Sequence, residues 1–430
     1  MNILLLTNTF TPHVGGVARS VEAFREEYRD NGHQVLVVCP TFNHMPEDEK
    51  DVVRINAIQN FNDSDFSVAL PLHPLLSEKI DAFAPDIVHS QHPFLLGVTA
   101  LRIARHRNLP LVFTHHTLYE QYTHYLPGDS PAMKRFVIEL ATRYANLTDQ
   151  VFTPSESIEE LLIGRGMNRP IAVIPTGVRL ASFAQGDGRS FRSQAGIPED
   201  AWVIGHLGRL AAEKNLEFLA HSVEKFIRSH PDSHFLVIGS GPAEEVIRKK
   251  FSRSNCESRL HITGILQLPL LADALHAMDV FAFASRSETQ GMVLTEAMAA
   301  GLPVVAIDAS GTREVVRDQY NGRLLQAGNS QTFADSLEWL YGLPEQQQLA
   351  LKQAALKTAE DFSMSRSAEK ALVCYEALIQ KSRATGNTKT GIEDIMDFMK
   401  TEWEILKIVA RASDAAMGTE LFSDREIKVT

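Results

Sequence analysis

The sequence predicts an α/β protein built from two doubly wound domains. Its 430 residues suffice for about two domains of ordinary size. Short apolar runs alternate along the chain with longer amphipathic stretches, and the runs lack the polar–apolar alternation of a half-solvated sheet. These features predict two parallel sheets with helices on both faces. The domains are expected to face a cleft, with ligands beyond the carboxyl ends of the strands.

The apolar runs place the strands of both domains. In a first domain, residues 1–185, strands are predicted at 3–6, 35–38, 87–89, 111–113, 151–153 and 172–174. In a second domain, residues 186–363, they are predicted at 203–207, 235–238, 260–263, 280–284 and 304–307. The boundary is placed near 182–198, where glycines and polar residues cluster without periodicity.

The C-terminal part of the chain is predicted to be helical. Residues 364–383 carry apolar side chains at helical spacing, and residues 384–430 hold a linker and a further helix across 392–411. That helix places five apolar side chains on one face: Ile392, Ile395, Met399, Trp403 and Leu406. We expect it to dock on the body of the protein. An oligomer contact or a lipid-surface helix is less expected, because the stretch is acidic.

Composition excludes several classes of function. The net charge of −11 argues against a general nucleic-acid binder. Cys39, Cys256 and Cys374 lie far apart, which favours a reducing compartment and gives no zinc motif. The first residues lack the basic start of a signal peptide, and no apolar run is long enough to span a bilayer. A cytoplasmic location is expected, with any membrane contact peripheral and at the inner face.

The segment 287–305 carries the strongest functional signal. It follows an apolar strand, turns at Gly291, continues as a helix and ends at a glycine before the next strand. A helix start binds phosphate, because its N–H groups and dipole favour an anion. Glu288 lies in the turn and Glu296 about two helical turns further on. Two carboxylates beside an anion site are suited to holding the hydroxyls of a sugar and a ribose.

Three other loops follow predicted strands. Gly15 and Gly16 allow a backbone to approach a ligand closely, although the dinucleotide-binding G-x-G-x-x-G pattern is absent. Arg209 and Lys214 offer a planar fork and a point charge for phosphate oxygens. Residues 239–242 form a Gly-Ser-Gly-Pro turn, which alone is a weak signal.

The order of these motifs resembles that of retaining glycosyltransferases of the GT-B fold, family 4, over about residues 1–383. The resemblance implies that the helix at 364–383 crosses back onto the first domain. It also implies roles for individual residues. The donor diphosphate would be approached by Gly16, Arg209, Lys214, Gly291, Met292 and Val293; the donor sugar and ribose by Glu288, Thr289, Gln290 and Glu296; the base by Gly239, Ile262 and Gly264.

The acceptor side is assigned to the run from residue 113 to residue 125. The family has a histidine two places after a threonine at this strand end, and His116 matches it, although the adjacent His115 leaves the exact assignment open. His116 and Glu288 are therefore the expected catalytic residues, with Gly15, Tyr119 and Tyr122 toward the acceptor. This run and the Glu-Thr-Gln-Gly turn at 288–291 look like those of glucosyltransferases that act on diacylglycerol.

The resemblance implies hexose transfer from a nucleotide sugar, expected to be UDP-glucose, to a lipid or sugar hydroxyl. Asp63 and Asp65 form a D-x-D, but they lie in a polar loop without a preceding strand. We therefore expect no required metal or other cofactor, because Arg209, Lys214 and the helix start supply a positive field. Residues 95–146 hold six Lys/Arg and three acids, a bias that could attract anionic lipid or be merely solvated.

Three alternatives remain open. A soluble enzyme of the same family could act on a sugar or cell-envelope polysaccharide precursor. A GT-B-fold epimerase is disfavoured by the two-glutamate motif, and a non-catalytic binding protein by the complete set of site residues. The sequence does not determine the oligomeric state.

Overall fold

The computed structural model describes residues 1–13, 15–46, 49–58, 68–69, 74–121, 123, 130–286, 288–326, 328–385 and 391–417. Among the described residues the chain divides into two compact units. Unit 1 comprises Met1–Thr176 and Ser367–Thr430, and unit 2 comprises Gly177–Arg366. The division falls before the predicted boundary at 185. Val178 pairs with Ser363, and Phe183 is buried in the core of unit 2, so the segment after Thr176 belongs to the second unit.

Unit 1 begins with an alternation of strands and helices. Its strands are β1 (Asn2–Leu6), β2 (Gln34–Pro40), β3 (Val52–Ile55), β4 (Ala57–Ile58), β5 (Val68–Ala69), β6 (Ile87–Ser90), β7 (Leu111–Thr114), β8 (Gln150–Thr153) and β9 (Ile171–Val173). Its first helices are α1 (Gly16–Asp30), α2 (Pro74–Phe83), α3 (Leu96–Arg107), α4 (Pro131–Ala145) and α5 (Glu156–Gly164).

Unit 2 continues the same alternation. Its strands are β10 (Trp202–Leu207), β11 (Ser233–Ile238), β12 (Leu260–Ile262), β13 (Val280–Phe283), β14 (Val304–Ile307) and β15 (Gly322–Leu325). Its helices are α6 (Leu180–Phe183), α7 (Gly188–Ala195), α8 (Leu216–Ser229), α9 (Glu244–Arg253), α10 (Leu270–His276), α11 (Met292–Ala299), α12 (Ser330–Tyr341) and α13 (Glu345–Asp361). The chain then returns to unit 1 through α14 (Met364–Thr385) and α15 (Gly391–Met417).

Each unit contains one parallel sheet. The sheet of unit 1 has the order β3-β2-β1-β6-β7-β8-β9, and that of unit 2 has the order β12-β11-β10-β13-β14-β15. All neighbours in both sheets are parallel, while β4 and β5 form a separate antiparallel pair. Strand order reverses at β1/β6 and at β10/β13. Ligands in such sheets bind beyond the carboxyl ends of the strands at this reversal.

The predicted strands are all present, and most of them are apolar runs buried on both faces; the edge strands β9 and β12 are only partly buried. In unit 2, Val203 and Phe281 belong to one core cluster, whereas the neighbouring Ile204 and Val280 belong to another. Of the four edge strands, β3 and β15 were not predicted. Each carries an arginine, Arg54 or Arg323, and buries fewer residues than the central strands.

Helix α14 packs on unit 1, as predicted for the crossover helix. Its Tyr375 is fully buried, and the Tyr375 hydroxyl lies 2.5 Å from His89 Nδ1 and 3.2 Å from the Tyr28 hydroxyl. Helix α15 also packs on unit 1, against α3 and α4. The predicted tail helix is therefore confirmed and extends to Met417.

Candidate active site

In unit 2 the loops after β10 and β13 lie at the strand reversal, where a ligand is expected. Lys214 ends a short 3₁₀ turn, Ala212–Lys214, in the first loop, and Glu288 lies in the second. Lys214 Nζ lies 2.5 Å from Glu288 Oε1, and both side chains are mostly buried, at 17% and 16% exposed. The fold thus joins two residues that the sequence assigned separately to the diphosphate and to the sugar.

Arg209 belongs to the same loop but is more exposed. Its Nη2 lies 2.5 Å from Glu213 Oε1, and its side chain is 47% exposed. Glu213 was not among the predicted site residues. It lies four positions after Arg209 and holds the guanidinium in a surface ion pair, which contributes little to stability. Arg209 can therefore exchange this carboxylate for a phosphate at small cost.

Helix α11 begins at the predicted turn. Gly291 has φ +72°, a left-handed conformation that favours glycine, and Met292 and Val293 form the first helical turn. The N–H groups of a first turn have no partner in the helix ladder, so they suit an anion. Thr289 and Gln290 precede the helix, Gln290 being 6% exposed, and Glu296 is buried within the helix at 4% exposed.

Gly311 supports this turn and was missed by sequence reasoning. It has φ +74°, and a Cβ at this position would lie 2.6 Å from the backbone nitrogen of Gln290. A larger residue would therefore displace the turn that presents Gln290 and Gly291. The available signal was the Ser-Gly-Thr sequence at 310–312, which two residues separate from the strand 304–307.

The residues assigned to the base lie at the ends of β11 and β12. The Gly239 N–H donates to the Gly264 carbonyl at 2.8 Å, and a Cβ on Gly239 would lie 1.9 Å from the Gly208 carbonyl oxygen. Glycine at 239 thus allows the loops after β10, β11 and β12 to meet. The Ile262 side chain packs against the core, so only its backbone is available to a base.

His206, on β10, is a second residue that sequence reasoning missed. It is 1% exposed, its Nδ1 lies 3.0 Å from the Ala282 carbonyl, and its Nε2 is buried with no hydrogen-bond partner among the described residues. Burial lowers the pKa of His206 to about 4, with Lys214 a smaller cause in the same direction. His206 is therefore a neutral imidazole at neutral pH, close enough to Lys214 and Glu288 for their charges to affect its pKa.

In unit 1, His116 follows β7 and lines a small cavity of about 10 Å³ with Gln91 and Thr114. His116 Nε2 lies 2.6 Å from Gln91 Oε1, which places the ring proton on Nε2. Burial, together with the nearby histidines, holds the pKa of His116 well below its usual value. His116 is therefore a neutral hydrogen-bonding group at neutral pH. Gln91 was not predicted, although it directly follows a strand end.

His115 is buried in unit 1, and Tyr119 beside it is partly buried. His115 is 1% exposed, and its ring packs edge-on against Phe113 and Tyr119. Burial lowers the pKa of His115 to about 4 and raises the pKa of Tyr119. Among the described residues the Tyr119 hydroxyl has no hydrogen-bond partner. Of the two histidines, His116 is therefore the one that lines the cavity. Tyr122, which was predicted on the acceptor side, lies outside the described residues.

Gly15 and Gly16 start helix α1 beyond the end of β1. Gly15 is the residue before the helix, and a Cβ added to Gly16 would meet no atom within 4 Å. Open space beside Gly16 is compatible with the predicted approach to a ligand.

No group of three or more His, Cys, Asp or Glu side chains that could hold a metal ion occurs in the part of the chain that the structure describes. The predicted D-x-D at Asp63 and Asp65 lies outside that part. The absence of a required metal therefore stays a prediction.

Comparison with known proteins covers both units. Residues 14–182 match the model of Glycosyltransferase Family 4, and residues 201–342 match the model of Glycosyl transferases group 1. The solved structure of Anabaena Alr3699/HepE in complex with UDP has a TM-score of 0.70 to this chain, with 22% identity, and covers 88% of this chain and 100% of that one. This likeness shows the GT-B fold.

Two curated relatives share a name. The alpha-monoglucosyldiacylglycerol synthase of Streptococcus pneumoniae is 28% identical over 369 residues, covering 84% of this chain and 83% of that protein. The enzyme of the same name from Acholeplasma laidlawii is 28% identical over 338 residues, covering 75% and 84%. With both family models matched in order across the two units, this chain belongs to the family 4, group 1 glycosyltransferases and is a nucleotide-sugar-dependent hexosyltransferase.

Proposed function

We propose that the protein transfers glucose from UDP-glucose to diacylglycerol at a membrane surface, with retention at the anomeric carbon. The observation that carries the donor side is the Lys214–Glu288 pair at the strand reversal of unit 2. The acceptor is supported by two relatives named alpha-monoglucosyldiacylglycerol synthase and by the run around His116.

The reaction must stabilise a departing nucleoside diphosphate. The bond between the anomeric carbon and the β-phosphate oxygen breaks, and negative charge develops on that oxygen. Lys214, Arg209 and the first turn of α11 supply positive charge and N–H donors at the loops of unit 2. Glu296 is proposed to accept hydrogen bonds from the ribose, and Glu288 from the sugar.

Retention is proposed to follow a front-face route. The acceptor oxygen forms the new bond to the anomeric carbon on the side that the diphosphate leaves, and the acceptor proton passes to the departing phosphate oxygen. His116 is proposed to position the sugar as a neutral hydrogen-bonding group. Because the pKa of His116 is held well below its usual value, the imidazole is not charged at neutral pH and does not serve as a proton donor.

The test is a matrix of donors and acceptors with the product identified by mass. UDP-glucose, UDP-galactose and GDP-mannose are each mixed with vesicles containing diacylglycerol and with water-soluble sugars. We expect glucosyl-diacylglycerol and free UDP, with an α-anomeric proton in the NMR spectrum of the product. Efficient transfer only to a water-soluble sugar would instead support the soluble alternative.

The control variants use the two ion pairs. Glu288→Gln should lower turnover strongly, because it removes a carboxylate proposed to hold the sugar. Glu213→Gln, which weakens the ion pair with the half-exposed Arg209, should change turnover little. Equal loss in both variants would remove Glu288 from its proposed role.

A further inference from the structure

Helix α15 exposes a stripe of large apolar side chains. Met399, Trp403 and Leu406 are 66%, 59% and 61% exposed, and Met417 further along is 66% exposed. Their spacing of four, three and eleven residues places them on one face of the helix. This is the face that the sequence predicted to be apolar, but it points away from the body of unit 1. Contiguous exposed apolar surface of this kind marks an interaction site.

The orientation of α15 is fixed from its other face. Ile408 and Ala412 are buried, at 9% and 0% exposed, against unit 1. Arg102 donates to both Glu402 carboxylate oxygens, at 2.6 and 2.9 Å. Arg135 donates to the Ala415 and Ala416 carbonyls, both at 3.0 Å, at the end of the helix. The exposed stripe is therefore held outward by contacts on the opposite side.

Cations lie along one side of the stripe. Lys400, Lys407 and Arg411 are spaced by seven and four residues, so they share a helix flank, and Lys407 Nζ lies 5.5 Å from the centre of the Trp403 ring. Glu404 lies four residues after Lys400 and three before Lys407, and Asp414 lies three after Arg411, so acids alternate with the cations on this flank. Glu402 is neutralised by Arg102. An exposed tryptophan with aliphatic neighbours and flanking lysines is typical of a helix lying in a lipid interface.

A basic cavity opens beside the same helix. It has a volume of about 690 Å³, and its lining includes Lys400 together with Arg105, Arg169 and Lys381, set against Asp149 and Glu404. Pro110, Asp149 and Pro170 in this lining precede β7, β8 and β9, so the cavity lies at the amino ends of these strands. His116 follows the carboxyl end of β7. The cavity is therefore distinct from the candidate active site, and its charge suits a phosphate group.

We infer that α15 docks unit 1 on an anionic phospholipid bilayer, with the apolar stripe in the interface and a lipid phosphate at the basic cavity. The inference deepens the proposed function, on which it rests for the need to reach a lipid acceptor. It differs from the contact that the basic bias of residues 95–146 could make with anionic lipid. Of the six cations in that range, Arg102 is paired with Glu402 and Arg107 with Asp81 within the protein.

Vesicle flotation tests the docking helix. The full chain is mixed with phosphatidylglycerol–phosphatidylcholine vesicles, and the bound fraction is measured for the wild type and for Trp403→Glu/Leu406→Glu. The matched control is Leu349→Glu/Val373→Glu, which changes two side chains of similar exposure, 54% and 60%, on α13 and α14. Removing two apolar contacts with the bilayer should weaken binding at least about tenfold in the α15 variant and little in the control. Equal binding by all three proteins would overturn the inference.

A second variant tests the contribution of the cations on α15 and at the cavity to binding of anionic lipid. Lys400→Gln/Lys407→Gln should weaken binding to anionic vesicles by roughly fivefold for each cation removed, and should not alter the weak binding to pure phosphatidylcholine. Soluble inorganic phosphate should compete only weakly with the vesicles, because free phosphate gains nothing from the apolar stripe of α15, which contacts only the bilayer. Strong competition by phosphate alone would show a soluble-anion site and overturn the lipid assignment.

Two further measurements separate this inference from its rivals. Light scattering should give the same mass for the wild type and the α15 variant; a dimer that the variant dissolves would mean that a second copy covers the stripe. UDP affinity and activity in detergent micelles should be unchanged in the α15 variant, which shows that it is folded. Normal flotation without glucosyl transfer to diacylglycerol would reject the proposed function while supporting the docking helix.

Discussion

The Lys214–Glu288 pair makes an unusual prediction about nucleotide binding. In the structure Lys214 Nζ lies 2.5 Å from Glu288 Oε1, so a diphosphate that takes Lys214 must displace the carboxylate. Glu288→Gln should therefore tighten the binding of UDP, although it lowers turnover with UDP-glucose. Lys214→Met should weaken UDP binding.

The size of the effect follows from the burial of the pair. The two side chains are 17% and 16% exposed, so their charge-assisted hydrogen bond falls in the range of about 1.5–3 kcal/mol. Glutamine keeps a neutral hydrogen bond of about 1 kcal/mol. The difference, about 0.5–2 kcal/mol, predicts a roughly two- to thirtyfold lower Kd for UDP in Glu288→Gln. Lys214→Met should raise the Kd at least about tenfold, because it removes a phosphate contact.

Calorimetric titration with UDP measures both variants and their combination. If Glu288 competes for Lys214, the gain from Glu288→Gln should largely disappear in the Lys214→Met background. A gain of equal size in both backgrounds would mean that Glu288 merely repels the diphosphate, and no gain would mean that the pair stays closed when UDP binds. Glu213→Gln is the matched control. It weakens the ion pair with Arg209, which is 47% exposed, and should change the Kd by less than about threefold.

Three further predictions concern the turn, the buried histidines and the metal. Gly311→Ala should destabilise the protein by about 1–2 kcal/mol and raise the KM for UDP-glucose, whereas Gly196→Ala, with φ +70° and open space, should share only the loss in melting temperature. His115 has a pKa of about 4 in the folded protein, whereas an unperturbed histidine has a pKa of about 6.5. As the pH falls, the unfolded chain is therefore protonated at His115 before the folded protein is, which favours unfolding. Above pH 6.5 the side chain is neutral in both states, and this loss of stability is absent. Between pH 6.5 and about pH 4, stability should fall by up to about 1.4 kcal/mol per pH unit, and His115→Phe should flatten the denaturation profile in this range relative to the exposed His106→Gln. Activity should survive EDTA; a loss that Mg²⁺ restores would return Asp63 and Asp65 to consideration.

The sequence by itself determined the alternation of strands and helices. A continuous apolar run such as 280–284 can be satisfied only by burial on both faces, which is why the central strands agree with the structure. The edge strands β3 and β15 bury fewer residues than the central strands and tolerate Arg54 or Arg323, so their apolar pattern was too weak to predict a strand. The loops that follow the strands were equally predictable, because a glycine or a charged residue directly after a buried strand is typical of a loop that binds a ligand at the sheet edge.

Only the tertiary structure decided which residues meet. Lys214 and Glu288 lie 74 residues apart, and they pair because β10 and β13 are neighbours at the strand reversal. The same holds for α15. Periodicity showed that Met399, Trp403 and Leu406 share one face, but not whether that face meets the protein or the solvent. The helical repeat specifies which side chains share a face of α15. Long-range contacts, such as the ion pair between Arg102 and Glu402, decide which face packs on unit 1 and which is exposed to solvent.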